Sequence, residues 1–442
     1  MDTNNKGNSK IRKTKLRRIR ISASVLLMVS AILAIAVVNS PLGEYYERFL
    51  NQYIHLQIGR FNLFSHHGEP LTMAQLINDA LMAVFFFSVG LEIKRELIGG
   101  ELSNPRKAML PVIAACGGMI IPIVVYAIFS PAGDAMRGVA IPMATDIAFS
   151  LGVLAMVGKN VPVSLKIFLA TLAIVDDIGG ILVIAIFYSS HIYPVFILII
   201  LLLLAIMYYA GRRGISSKAF YVSGFVLVWF LMLQSGIHAT IAGVLVALVV
   251  PSKPKVNLDR YLTDLKRTIA IFSNDKIDVL SHSQISVLKY VRKESNQAIS
   301  PTQLLEQDMS SVVNYLILPL FAFANAGINF DGFSIQSFGG ITFTIIIALV
   351  LGKLVGIFSF TWFFVKTGWL SLPANLNFKH IFGVALLGGI GFTVSLFIAS
   401  LSFGGIENGA VLLNNARLGV LTASIIAGTL GYFYLRRVLK FS

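Results

Sequence analysis

A chain of 442 residues that is 56% hydrophobic and 13% charged, with a mean hydropathy of +0.78, is not built for water, since soluble chains carry about a quarter charged residues. The formal net charge of +15 would suit nucleic acid in a soluble protein. Here the charge sits in short joints between apolar runs, which excludes that reading and makes a lipid bilayer the partner. Cys116 is the only cysteine and lies in an apolar stretch, so a disulfide framework and a thiolate metal cluster are excluded too.

In chain order, residues 1–20 form a basic tail holding Lys6, Lys10, Arg12, Lys13, Lys15, Arg17, Arg18 and Arg20. The first apolar run, Ile21 to Val38, resembles a signal peptide, with small residues at Ala34 to Ala36. It continues to Val38, however, and as an uncleaved anchor it satisfies the charge alternation described below. Residues 44–67 alternate apolar and polar groups around Gly59, as an external β-hairpin would. Further spans are expected at Met73 to Leu91, Ala108 to Phe129, Gly138 to Val157, Ser164 to Phe187, Tyr193 to Ala210, Phe220 to Leu233 and Gly236 to Val250. After a mixed-charge segment at 251–311, read as a solvated cytoplasmic loop with some helix, come Val312 to Gly327, Gly340 to Val365, Ile381 to Ser400 and Val411 to Leu435. This predicts an all-α polytopic membrane protein of about twelve transmembrane helices in a single unit, residues 21–440. Every second joint is basic, which puts both termini in the cytoplasm.

Two spans carry helix breakers, tolerated only where the freed backbone is buried in protein or faces a watery cavity. Pro142 and Thr145 precede Asp146 in one, and Gly388-Gly389-Ile390-Gly391 precedes Phe392 and Thr393 in the other. Broken spans of this kind mark a transporter's binding site, because half-helix ends offer dipoles and bare carbonyls.

Asp79, Asp146, Asp176, Asp177 and Lys353 fall inside apolar runs, where each ionised group is worth about 2.5 to 3.5 kcal/mol of insertion penalty. A structural ion pair between one Asp and Lys353 leaves at least two acids unexplained. Asp79 lies nearest a span end, where solvent reaches it. Asp176 and Asp177 project about 100° apart around a helix, so one can face water while the other faces a neighbouring helix. Burial and a like-charged neighbour both disfavour their ionisation, so they titrate as a coupled set. Carboxylates with the Thr145 hydroxyl and backbone carbonyls would also ligate Na+ or Li+, hard cations that take oxygen ligands. A carboxylate that holds either a proton or a metal ion, and faces the two sides alternately, couples the two fluxes. That is antiport, and it requires no cofactor or enzyme chemistry. The chain contains no Walker A sequence, so no nucleotide is expected. A Na+-coupled symporter of an organic solute remains an alternative, distinguished by whether Na+-dependent proton flux requires the solute. A structural or receptor-like protein would give no flux.

The residues resemble the NhaA Na+/H+ antiporters. The matching stretches are Ile77 to Phe87 with Val89 to Leu97, Ala140 to Phe149, Lys166 to Leu169 leading to Asp176 and Asp177, Ser235 to Thr240, and Leu318 to Gly327. The resemblance implies inverted repeats and two broken helices crossing near the midplane, with Asp146 balancing positive half-helix ends and Lys353 negative ones. It also implies that Asp177 and Asp176 hold the ion, that Asp176 pairs with Lys353 and that Thr145 is close by. Further implications are electrogenic exchange in a bacterial inner membrane for Na+ and pH homeostasis, and a homodimer built through the hairpin-like segment. Glu92, Arg95 and Glu96 match a cytoplasmic cluster linked to pH regulation. Glu306 fits the pattern, while Gln307 and Ser310 replace histidines of some relatives, and the cytoplasmic loop is longer than usual. Both departures bear on the pH set point. His238 is either a pH sensor or a hydrogen-bonded packing residue.

Overall fold

The computed structural model describes residues 22–440 apart from 59–60, 63, 67–68, 159, 189–191, 255–260, 264, 267–280, 331–337, 374 and 407–408. The basic tail 1–20 and Gly59 therefore lie outside the described residues. The molecule is a helical membrane protein whose apolar runs become α1 (Ala23–Val38), α2 (Gly43–Asn51), α3 (Met73–Gly99), α4 (Pro105–Phe129), α5 (Ile147–Val157), α6 (Val163–Phe187), α7 (Pro194–Arg212), α8 (Lys218–Ser235) and α9 (Ile241–Val249). After the loop come α10 (His282–Ala298), α11 (Pro301–Val312), α12 (Leu318–Asn325), α13 (Gly340–Ile347), α14 (Lys353–Lys366), α15 (Phe378–Gly388), α16 (Phe392–Phe403) and α17 (Gly409–Lys440). Polar residues at the joints set the helix starts. Thr72 and Gln75 form a capping box on α3, and Asn104 caps α4 with Pro105 in its first turn.

Among the described residues seven helices are long and apolar enough to cross a bilayer, or ten if three bent pairs each count as one span. Two stretches expected as plain spans differ. The run Gly236 to Val250 is helical only over Ile241–Val249, because Gly236 adopts φ +83° and ends α8. The run Val312 to Gly327 lies inside a composite of α11, a π-helical turn at Val313–Ile317 and α12. Pro319 supplies no amide hydrogen to this helix, and the wider turn just ahead absorbs the defect.

The segment 44–67 also departs from a simple hairpin. It opens with α2, supported by an Arg48–Glu44 ion pair of 2.5 Å one turn apart. Two short antiparallel ladders follow, Gln57–Ile58 with Phe61–Asn62 and Ser65–His66 with Glu69–Pro70.

What places the site is the close approach of α4 and α14. A Cβ on Gly117 would stand 2.3 Å from the Gly356 carbonyl oxygen, and one on Gly356 would stand 2.1 Å from that of Gly117. Small residues let the backbones touch, as helix pairs in lipid require. We expect Gly356→Val to force the pair apart and to destabilise the fold by about 3 kcal/mol, read as a fall in the melting temperature of purified protein. An unchanged melting temperature would show that this crossing is dispensable.

Candidate functional site

The two broken stretches meet in the middle of the bundle. Asp134–Met143 winds as a 3-10 helix, the chain runs extended through Ala144 to Asp146, and α5 then leaves at a 44° bend. Its counterpart breaks between α15 and α16 with a 42° bend. The Asp146 amide donates to the Ile390 carbonyl at 2.7 Å, stitching one break to the other.

Asp146, 2% exposed, caps both outgoing helices. Its Oδ1 accepts from the Phe149 amide at 2.9 Å, at the start of α5. Its Oδ2 accepts from the Thr393 amide at 3.0 Å and hydroxyl at 2.6 Å, at the start of α16. Two positive helix ends thus share one carboxylate. The opposite ends are met by hydroxyls, with Ser150 donating to the Leu387 carbonyl at 3.2 Å and Ser395 to the Ile141 carbonyl at 2.8 Å.

Beside this crossing, α6 presents Asp176 and Asp177, and α14 presents Lys353. All three are fully or almost fully buried. Asp176 Oδ2 accepts from Lys353 Nζ at 2.6 Å and lies 2.6 Å from Thr145 Oγ1. Lys353 also donates to Thr145 Oγ1 at 3.0 Å. The single Thr145 hydroxyl proton goes either to Asp176 or to the Gly388 carbonyl, 3.0 Å away. Lys353 therefore meets an acid and a hydroxyl, while the carbonyl ends of α15 go to Ser150 and Thr145. A second π turn, Ala348–Gly352, immediately precedes Lys353, and Gly352 within it lies close against Pro122 of α4.

Asp177 is different. Neither of its carboxylate oxygens, nor Oδ1 of Asp176, meets a hydrogen-bond donor among the described residues. Three bare, buried carboxylate oxygens within one turn of helix suit a proton or a small hard cation. Among the described residues no three His, Cys, Asp or Glu side chains converge as a resident metal site would require.

Two cavities approach from opposite ends of α3. One, about 440 Å³, is lined by Glu92, Glu96, Lys166, Thr171 and Ile174, the last being one turn before Asp177. The other, about 640 Å³, is lined by Tyr46, Gln75, Asn78, Asn325, Ser400 and Arg417. Glu92 and Asn78 are 14 residues apart on α3, roughly 21 Å along the helix. In the wall of the larger cavity Asn325 donates to Asn78 at 2.6 Å and accepts from Ser400 at 3.1 Å. Phe397 then packs among Phe86, Phe321 and His238.

The remaining expected residues form two other groups. Arg95 pairs with Glu96 at 2.7 Å and Glu306 at 2.6 Å, and Glu96 also accepts from the Glu101 amide. Burial pushes the Glu306 carboxyl up, with Arg95 opposing it. Asp79 does not reach solvent as its position suggested. It is 8% exposed, with its Oδ1 3.8 Å from His238 Nε2. His238 Nδ1 lies 3.1 Å from the Thr240 hydroxyl. In the sequence Thr393 stands only as the end of the glycine-rich break, and Asn78 and Asn325 only within matching stretches, with no role assigned to them. Thr393 adjoins the glycine run and could have been found as a helix-start hydroxyl, whereas the asparagines carry no signal apart from their partners.

The chain is similar along nearly its whole length to known proteins. The model of the family described as Na+/H+ antiporter 1 matches residues 14–435. The protein called Na(+)/H(+) antiporter NhaA from Bacteroides fragilis is 53% identical over 422 residues, covering 95% of this chain and 96% of that one. The protein of that name from Bacteroides thetaiotaomicron is 53% identical over 422 residues, 95% of each chain. Its counterpart in Porphyromonas gingivalis is 45% identical over 428 residues, 96% of this chain and 94% of that one.

Proposed function

Because the chain belongs to the Na+/H+ antiporter 1 family, we propose that it exchanges cytoplasmic Na+ or Li+ for external protons at Asp177 and Asp176. The observation that carries this reading is the buried pair itself, in which Asp176 is engaged by Lys353 and Thr145 while both oxygens of Asp177 are bare. A small cation and protons compete for those oxygens. Loading Na+ expels protons on one side, and protons expel Na+ on the other. The cavities at the two ends of α3 support alternating access, with the smaller one as the cytoplasmic entry and the larger one as the external exit. As the resemblance implies, more than one proton moves inward per Na+ in this exchange, which makes it electrogenic.

In this reading the composite and bent helices complete a twelve-span protein of a bacterial inner membrane, with residues 21–440 as one unit. Both termini and the loop 251–311 face the cytoplasm, and residues 44–67 face outward and join two copies as a homodimer. Glu92, Arg95, Glu96 and Glu306 at the cytoplasmic entry, with His238 and Asp79 deeper in, set the pH of activation. In everted vesicles free of organic solute, Na+ and Li+ are expected to discharge a preformed proton gradient and K+ is not. A discharge that appears only with an added organic solute would favour Na+-coupled symport.

A further inference from the structure

Helix α10 belongs to none of the machinery above, yet one of its faces is unusual for a solvated connector. Ile285, Leu288, Lys289 and Arg292 fall within about 100° of one another around the helix. All four are exposed, Ile285 by 38% and Leu288 by 45%. The packed residues Gln284, Val287, Val291 and Glu294, all half-buried, lie on another side of the helix, beside which Tyr290 is 51% exposed. Glu294 is the helix's only acid, so the open face is apolar and purely basic. Ser281 and Gln284 close a capping box that fixes where the helix starts.

The position of α10 matches that chemistry. It ends at Ala298, two residues before Ser300 caps α11. Thr302 of α11 donates to the Pro251 carbonyl at 3.1 Å, just past the end of α9. At this same end of the bundle Leu248 of α9 and Ile98 of α3 are 47% and 59% exposed. Exposed apolar side chains next to a highly charged loop mark the level where hydrocarbon gives way to headgroups.

We infer that α10 lies on the cytoplasmic leaflet as an interfacial helix, with Ile285 and Leu288 entering the headgroup boundary and Lys289 and Arg292 binding anionic lipid phosphates. A stripe of two large apolar residues flanked by two cations is what such a surface takes up, and the attraction requires anionic lipid because the apolar area alone is small. The inference rests on the cytoplasmic placement of the loop proposed above.

The test uses the full chain with Cys116→Ser, and Leu288→Cys carrying an environment-sensitive fluorophore, in nanodiscs. Emission is expected to shift to the blue when phosphatidylglycerol is mixed into phosphatidylcholine. High salt, or Lys289→Glu with Arg292→Glu, is expected to reverse the shift. Proton exchange retained by each variant establishes that it is folded. Emission typical of water in both lipid mixtures would overturn the inference by leaving the helix solvated. Blue-shifted emission in both mixtures, indifferent to salt, would also overturn it, because the face would then be covered by protein. Loss of the shift without loss of exchange separates failure of this inference from failure of the transport reading.

Discussion

Asp177→Asn is expected to reduce Na+-driven proton flux in everted vesicles by roughly 100-fold or more, to the level of vesicles lacking the protein. The substitution keeps shape and burial but removes both the charge that holds a cation and the group that takes a proton. Its two oxygens have no donor among the described residues, so little structural support is lost and the variant should fold. The same exchange at Asp79, whose carboxylate faces His238 at 3.8 Å, is expected to shift the pH profile and leave maximal flux largely intact. Full activity of Asp177→Asn would overturn the proposed site.

Lys353→Met is expected to have the largest effect on stability. It strands Asp176, fully buried, without its 2.6 Å partner, and removing one member of a buried ion pair destabilises by about 3 to 5 kcal/mol. Adding Asp176→Asn should recover most of that loss, because the double variant leaves no uncompensated charge. Melting temperatures of the two single variants and the double variant measure the coupling. If the losses simply add, the pair is not the unit described here.

Much of this site was legible in the sequence because ions in apolar runs are improbable and helix breakers are conspicuous. Asp146, which the resemblance makes a balancing charge, meets two helix starts through Phe149 and Thr393. Lys353 meets Asp176, as the resemblance implies, and Thr145, while the carbonyl ends of α15 go to hydroxyls and not to the lysine. Residue type fixes a charge but not which of several buried partners it reaches. The π turns before Leu318 and Lys353 have no signature in hydropathy, which records only that a stretch is apolar. The shortening of Gly236 to Val250 to the nine residues of α9 depends on one left-handed glycine inside a run that reads as continuous. Asp79 looked solvated because its place near a span end says nothing of what packs over it, and His238 comes from 159 residues further along the chain.

Competition between Na+ and protons for one set of oxygens is measured most directly on purified protein in weakly buffered liposomes, by titrating in Na+ and recording proton release. Na+ binding is expected to release protons over the pH range in which the carboxyl pair titrates, and apparent Na+ affinity is expected to fall as pH falls. Na+ binding with no release of protons at any pH would contradict such competition.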